Sequence, residues 1–238
     1  MLGPPSMGYD RAITIWSPDG RLYQVEYALE TVRKGSPTLG IRTKEGIVLA
    51  AERRVGSPLT EITDKILRID EHIGISFSGF FADGRILIDK ARIYAQIHRL
   101  VYDEPIGVET LAKRICDILQ IYTQHGGVRP FGVALLIGGV DEAGPQLIGT
   151  DPSGAYQKYY AHAIGAGDTK ILEVLTREYK RDMSLEEAIL LSLKALGLLV
   201  KELTVDRVEM AVIDSETRKF KKIPDSEKEE YIKKLGLQ

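Results

Sequence analysis

The chain is poor in everything that would mark it as secreted, membrane-bound or cofactor-dependent. Its 238 residues include one cysteine, Cys116, which excludes an intrachain disulfide and suits a reducing compartment. The longest apolar runs, Ile189–Leu193 and Ala195–Val200, are broken by Ser192 and Lys194. Neither approaches the ~20 residues needed to span a bilayer. No basic stretch followed by an apolar run opens the chain, so a secretory leader is not expected. A net charge of −2 gives no reason to expect nucleic acid or an anionic membrane as partner. The four histidines, His72, His98, His125 and His162, lie far apart with no ligand spacing. Gly165-x-Gly167 is too short for a dinucleotide fingerprint and lacks its third glycine. No metal and no cofactor are therefore expected, and the chain reads as a soluble cytoplasmic protein.

What is present is an ordinary globular composition, 44% hydrophobic and 28% charged, on a chain long enough to bury a substantial core. Two β-rich runs, SPTLGIRT and GIVLAAE, flank the turn Lys44-Glu45-Gly46 and predict a hairpin. A second strand pair is expected at Lys65–Asp70 and His72–Ser78. A helix follows from about Ala82 to Val101, with Ile86, Ile93, Ile97 and Leu100 on one face. Another starts after Pro105-Ile-Gly, with Leu111, Ile115, Ile118 and Tyr122 in register. Cys116, Ala112 and Leu119 share a face of that helix, so the thiol reads as core rather than nucleophile. Strands are expected at Phe131–Val140, Gln146–Thr150 and Ala155–His162, then helices at Asp168–Tyr179 and Ser184–Leu203. Strands at Arg207–Asp214 and Phe220–Ile223 and a charged helix complete the chain. Runs of strands alternating with helix pairs suggest α+β architecture, two stacked antiparallel sheets with helices on the outer faces. No linker or composition break divides it, so residues 1–238 read as one domain.

The most informative segment is Gly8–Gly35, GYDRAITIWSPDGRLYQVEYALETVRKG. Ser17-Pro18-Asp19-Gly20 has the Pro and Gly placement of a type I turn. Leu22, Val25, Leu29 and Val32 then recur at three- and four-residue spacing, an apolar stripe on a helix that Gly35 would cap. The segment resembles the signature of proteasome α-subunits, above all the archaeal kind. Tyr122–Val133, YTQHGGVRPFGV, is a second match to that family. The resemblance covers nearly the whole chain. It implies the four-layer αββα sandwich of the N-terminal-nucleophile hydrolase superfold (residues 36–238), preceded by a gate segment and turn (1–21) and an extra helix (22–35).

Proteasome-like β-subunits work through a threonine freed at the mature N-terminus, whose own α-amine can serve as base. By the shared strand pattern the corresponding residue is Ser36, and Glu52 and Lys65 match the acidic and lysine positions that accompany it. Ser instead of Thr, a structured helix instead of a disposable propeptide, and Ala166 in the Gly165-Ala166-Gly167 turn argue against catalysis. The resemblance thus implies a non-catalytic subunit. An autoprocessed N-terminal Ser hydrolase using Ser36 stands as the alternative.

The family match also assigns other roles. Tyr9, Asp10, Arg11, Pro18 and Tyr27 match the cluster that controls a gate over the pore of a seven-subunit ring. Tyr27 could equally be a half-buried helix aromatic. Lys65, with Gly35, matches the pocket that receives the C-terminal carboxylate of an activator's tail, a suitable partner for an ammonium; a solvated edge-strand lysine is the plainer reading. The loop before it, VGSPLTEITDK, is shorter than the usual archaeal length, and Leu29 stands where many relatives carry Arg. Leu22, Val25, Leu29 and Arg129 are expected to serve assembly. Implied partners are other copies of the chain, proteasome β-subunits, activator ATPase tails and unfolded protein substrates in transit.

Overall fold

A computed structural model describes residues 14–53, 59–61, 63–200 and 203–236. Its elements are α1 (Tyr23–Lys34), β1 (Thr38–Arg42), β2 (Gly46–Glu52), β3 (Ile66–Asp70), β4 (Ile73–Gly79), α2 (Phe81–Tyr102), α3 (Val108–Ile121), β5 (Val133–Asp141) and β6 (Gly144–Thr150). They continue with β7 (Tyr156–Tyr159), β8 (Ala161–Ile164), α4 (Asp168–Glu178), α5 (Leu185–Gly197), a 3-10 turn at Val205–Arg207, β9 (Val208–Asp214), β10 (Phe220–Lys222) and α6 (Asp225–Leu235). The strands form two antiparallel five-stranded sheets, ordered β10-β9-β2-β1-β8 and β3-β4-β5-β6-β7.

Alternation along the strands builds the layers. Val48 and Ala50 of β2 face α4 and α5, while Ile47, Leu49 and Ala51 face the other sheet. On β5, Val133, Leu135 and Ile137 meet α2 and α3, and Ala134 and Leu136 point inward to the first sheet. Three apolar cores result, one between the sheets and one under each helical layer, which is the αββα sandwich. A buried polar contact also crosses the sheets: Thr38 Oγ1 lies 2.8 Å from Ser76 Oγ and 2.9 Å from the Ala50 carbonyl oxygen. Cys116 belongs to the core under α2 and α3, where burial and the nearby Asp151 and Asp117 push its thiol up to about 12.

Three details differ from the sequence reading. Residues 155–162 are not one strand: β7 pairs with β6 in the second sheet, and β8 pairs with β1 in the first. The single β-rich run therefore crosses from one sheet edge to the other. α5 ends at Gly197 rather than Leu203, where glycine weakens the helix. On α2, Ile86, Ile93, Ile97 and Leu100 do share a face, but the exposed one; Leu87, Ile88, Ala91 and Ala95 pack inward. The small alanines let α2 approach the sheet closely, a choice that a count of large apolar residues conceals.

Lys228 of α6 is only 1% exposed. Its ammonium donates to the carbonyls of Val205 (3.0 Å) and Val208 (2.8 Å) and pairs with Asp225 at 2.8 Å. This anchors α6 over the 3-10 turn that starts β9. Lys228→Met keeps the packing volume but strands two carbonyls, so it should lower stability by about 2 kcal/mol. Urea unfolding of wild type and variant at matched protein concentration measures the loss.

Candidate functional site

α1 lies across the end of the sandwich where β4 finishes and β5 begins. Its buried residues are Val25, Ala28 and Val32; Leu22 and Leu29 of the expected stripe are half-buried, and Ala28 supplies the remaining contact. Ahead of the helix, the Gly20 N–H donates to the Ser17 carbonyl at 2.9 Å, closing the turn, and the Arg21 N–H donates to Ser17 Oγ at 3.0 Å. Pro18 on that turn is exposed, and Tyr27 is 51% exposed. Tyr9, Asp10 and Arg11 lie outside the described residues.

The helix ends in a backbone-to-backbone junction. A Cβ on Gly35 would fall 2.3 Å from Ser78 Oγ and 2.4 Å from the Gly79 nitrogen, so only glycine fits. The Val32 carbonyl accepts the Gly35 N–H at 2.9 Å and, with its second lone pair, the Ser78 hydroxyl at 3.1 Å, which ties the helix terminus to β4. The Gly35 carbonyl in turn accepts from the Ala166 N–H at 2.8 Å. Gly165, at φ +105°, leaves no room for a side chain against Ser36 O and Pro37.

This junction sets Ser36 beside Lys65. The Lys65 ammonium donates to Ser36 Oγ at 2.5 Å and to the Ser36 carbonyl at 2.7 Å. Both residues, with Gly35, Thr31, Gly79 and Phe80, line a cavity of about 560 Å³. Gly35, Ser36 and Lys65, which the sequence analysis named only through family resemblance, lie side by side here. Glu52 ends β2, where its N–H donates to the Pro37 carbonyl at 2.9 Å.

Beneath Lys65 is a charge cluster that sequence reasoning missed. Glu209 of β9 is 2% exposed, accepts from the Lys65 N–H at 2.7 Å and the Ile66 N–H at 3.3 Å, and pairs with Lys222 of β10 at 2.7 Å. Lys222 also reaches Asp64 at 2.7 Å. Burial raises the Asp64 carboxyl, but Lys222 and Arg53 outweigh it and hold the group below its ordinary value. The signal available in the sequence was a glutamate inside the apolar strand VEMAVID.

Arg129 ties the Tyr122–Val133 segment to α2. Its guanidinium makes a bidentate pair with Asp83, at 2.6 and 2.8 Å, and lies over the Phe80 ring at 5.5 Å. That pairing raises the Arg129 pKa further. Asp83 is buried in the first turn of α2 and also accepts the Gly132 N–H at 2.8 Å. Arg129, Phe80 and Pro130 form a groove of about 330 Å³ with Tyr27, Ala28 and Thr31 of α1. Asp83 carries no local signal; its partner is 46 residues away.

Among known proteins, the family model described as Proteasome subunit matches residues 32–213, and the model of the N-terminal signature of A-type proteasome subunits matches residues 9–30. The chain is 53% identical to the proteasome alpha subunit of Archaeoglobus fulgidus over 98% of its own length and 95% of that protein. It is 52% identical to the protein of the same name from Methanothermobacter thermautotrophicus (97% and 94% covered). With the Saccharolobus islandicus protein of that name the identity is 49% (98% and 99% covered).

Arg129→Ala removes the partner of a buried carboxylate and should cost about 2–3 kcal/mol. Because Asp83→Ala breaks the same pair, the double substitution should cost clearly less than the two single losses added together. Denaturant midpoints of the three variants supply the cycle.

Proposed function

The chain belongs to the proteasome subunit family and carries its α-type signature, and from that premise we propose that it is a non-catalytic subunit of the outer ring of a cytoplasmic proteasome core particle. In this reading seven copies form the ring, the segment before α1 restricts entry of unfolded protein, and the Lys65 cavity docks the C-terminal tails of an activator ATPase. Proteolysis belongs to the β-subunits with which it assembles.

The observation that carries the docking reading is the Lys65 ammonium at the wall of a cavity bounded by Gly35 and Ser36. An ammonium held by backbone and hydroxyl oxygens suits a chain-end carboxylate. The cavity touches α1 directly, through Thr31, Lys34 and Gly35, so an occupant there presses on the helix that follows the gate segment. Pro18 and Tyr27, both exposed on or next to that helix, remain accessible to Tyr9, Asp10 and Arg11 of the same or a neighbouring copy. The exposed apolar face of α2, with Ile93, Ile97, Leu100 and Val101, supports burial against other subunits.

The competing reading, an autoprocessed Ser hydrolase, draws on the same 2.5 Å approach of Ser36 Oγ to Lys65. It requires cleavage at Gly35–Ser36, the bond whose flanking backbone anchors α1. Intact mass separates the two: the hydrolase would lose residues 1–35, and the ring subunit keeps them.

Three variants test the ring reading in a core reconstituted with an active β-subunit. Deleting residues 1–35 should abolish rings, seen by electron microscopy, because α1 goes with them. Deleting residues 1–13 should spare rings and raise hydrolysis of a peptide that the intact gate excludes. Lys65→Ala should weaken each activator tail by roughly one to two decades, the worth of a partly desolvated charge-assisted bond, and more in total avidity. Activator-stimulated peptide hydrolysis reads this out, and the 1–13 deletion should bypass the defect.

A further inference from the structure

We propose that Arg42 and Arg181 form a binding site for a doubly charged tetrahedral oxyanion, inorganic phosphate or a phosphomonoester, with Tyr160 as its aromatic floor. The site lies at the end of β1 opposite Ser36 and goes beyond the function proposed above without resting on it.

Three pieces of chain converge there. Arg42 ends β1, Tyr160 lies where the chain crosses from β7 to β8, and Arg181 sits on the turn between α4 and α5 that buried Met183 anchors. The Arg42 N–H donates to the Tyr160 carbonyl at 2.7 Å, and the Tyr179 hydroxyl donates to the Arg42 carbonyl at 2.9 Å. The backbone beneath the site is therefore pinned. The Arg181 and Arg42 guanidiniums lie over the Tyr160 ring, 4.4 and 5.5 Å from its centroid, close enough for one bound group to reach both. Tyr160 itself is exposed, so the floor is open to solvent.

The protein shows elsewhere what such an arrangement holds. Arg21 lies over Tyr23 and puts its fork on both oxygens of Glu26. Arg129 lies over Phe80 and does the same to Asp83. In both, the ring takes the face of the guanidinium and the N–H edge takes one carboxylate. At Tyr160 the faces are used and the edges are not. Among the described residues neither the Arg42 nor the Arg181 guanidinium is hydrogen-bonded or ion-paired. Glu45, the acidic residue nearest Arg42 in sequence, is turned instead to the Leu185 N–H at 2.7 Å. Burial raises the Tyr179 phenol, and Arg42 and Arg181 act against that rise, so both charges bear on the same spot.

The ligand class follows from the number of forks. One fork takes one carboxylate, which brings two oxygens and one charge. Two forks over one ring call for more oxygens and a second charge, and a phosphate group supplies both. Two cations held over one ring also repel, and a dianion between them removes that cost. Tyr160 is the one ring among the described residues that two guanidiniums share; Arg114 lies alone over Tyr94.

Isothermal titration calorimetry of the full chain tests the site, at about pH 8, above the second phosphate pKa of ~6, with ionic strength held by chloride. The probes are inorganic phosphate, phenyl phosphate and acetate. Phosphate should bind saturably with Kd below about 1 mM, and acetate at least tenfold more weakly. Arg42→Gln and Arg181→Gln should each weaken phosphate tenfold or more, and Arg114→Gln by less than twofold. Arg181→Lys, which keeps the charge but loses the fork, should weaken it at least threefold. Saturation by phenyl phosphate assigns the site to phosphomonoesters, and saturation by inorganic phosphate alone assigns it to the free ion. The proposal is overturned if neither phosphate compound saturates, if either glutamine variant or Arg181→Lys binds as wild type does, or if acetate binds equally well. Equal weakening by Arg114→Gln overturns it too, because that is the mark of general charge screening.

Discussion

At the end of α1 two backbones meet with no side chain between them. Gly35 sits against Ser78 and Gly79 at distances no Cβ could tolerate, and the Ser78 hydroxyl and the Ala166 N–H hold the chain there. Three separate pieces of the fold are fixed by that contact: the exit of α1, the end of β4 and the turn after β8. Moving Gly35 outward by a methyl group would lift α1 from the sheets and draw Ser36 from Lys65. The cavity exists because this junction is tight.

A positive side chain beside a cavity needs support, since burial disfavours its charged form. Here the support is distributed. Ser36 supplies two oxygens to the ammonium, while Glu209, almost out of contact with solvent, holds the strand backbone from below. Lys222 balances Glu209 and Asp64 together. The result is a platform in which the lysine and the buried carboxylate below it are both held by several partners. Arg129 and Asp83 perform a comparable task at the neighbouring groove, fixing the Tyr122–Val133 segment against α2.

Element order was legible in the residues because strand alternation and helical spacing are local. The sandwich and the glycine at the end of α1 followed from pattern together with family likeness. What failed to show was decided at long range. The face of α2 that packs inward is set by Ala91 and Ala95, whose small size admits close approach but lends little weight to a periodicity count. The switch of β7 and β8 between sheets depends on which edges lie open, a property of the assembled layers. Glu209 looked like an anomaly in an apolar strand, and its purpose appears only when β3 is laid beside β9.

The same geometry has a bearing on synthesis. Lys65 and Glu209 are 144 residues apart in the chain, so the segment carrying Glu209 emerges from a ribosome long after the one carrying Lys65. A nascent chain that already holds α1, β1 and β3 has the lysine and the serine but not the carboxylate that seats them. Local order arises early, whereas this surface waits for β9 to pair with β2, a slow long-range closure. A truncated or half-folded copy therefore presents no finished pocket. The surface that would read the tail of a partner thus doubles as a record that β9 has been made and has paired with β2.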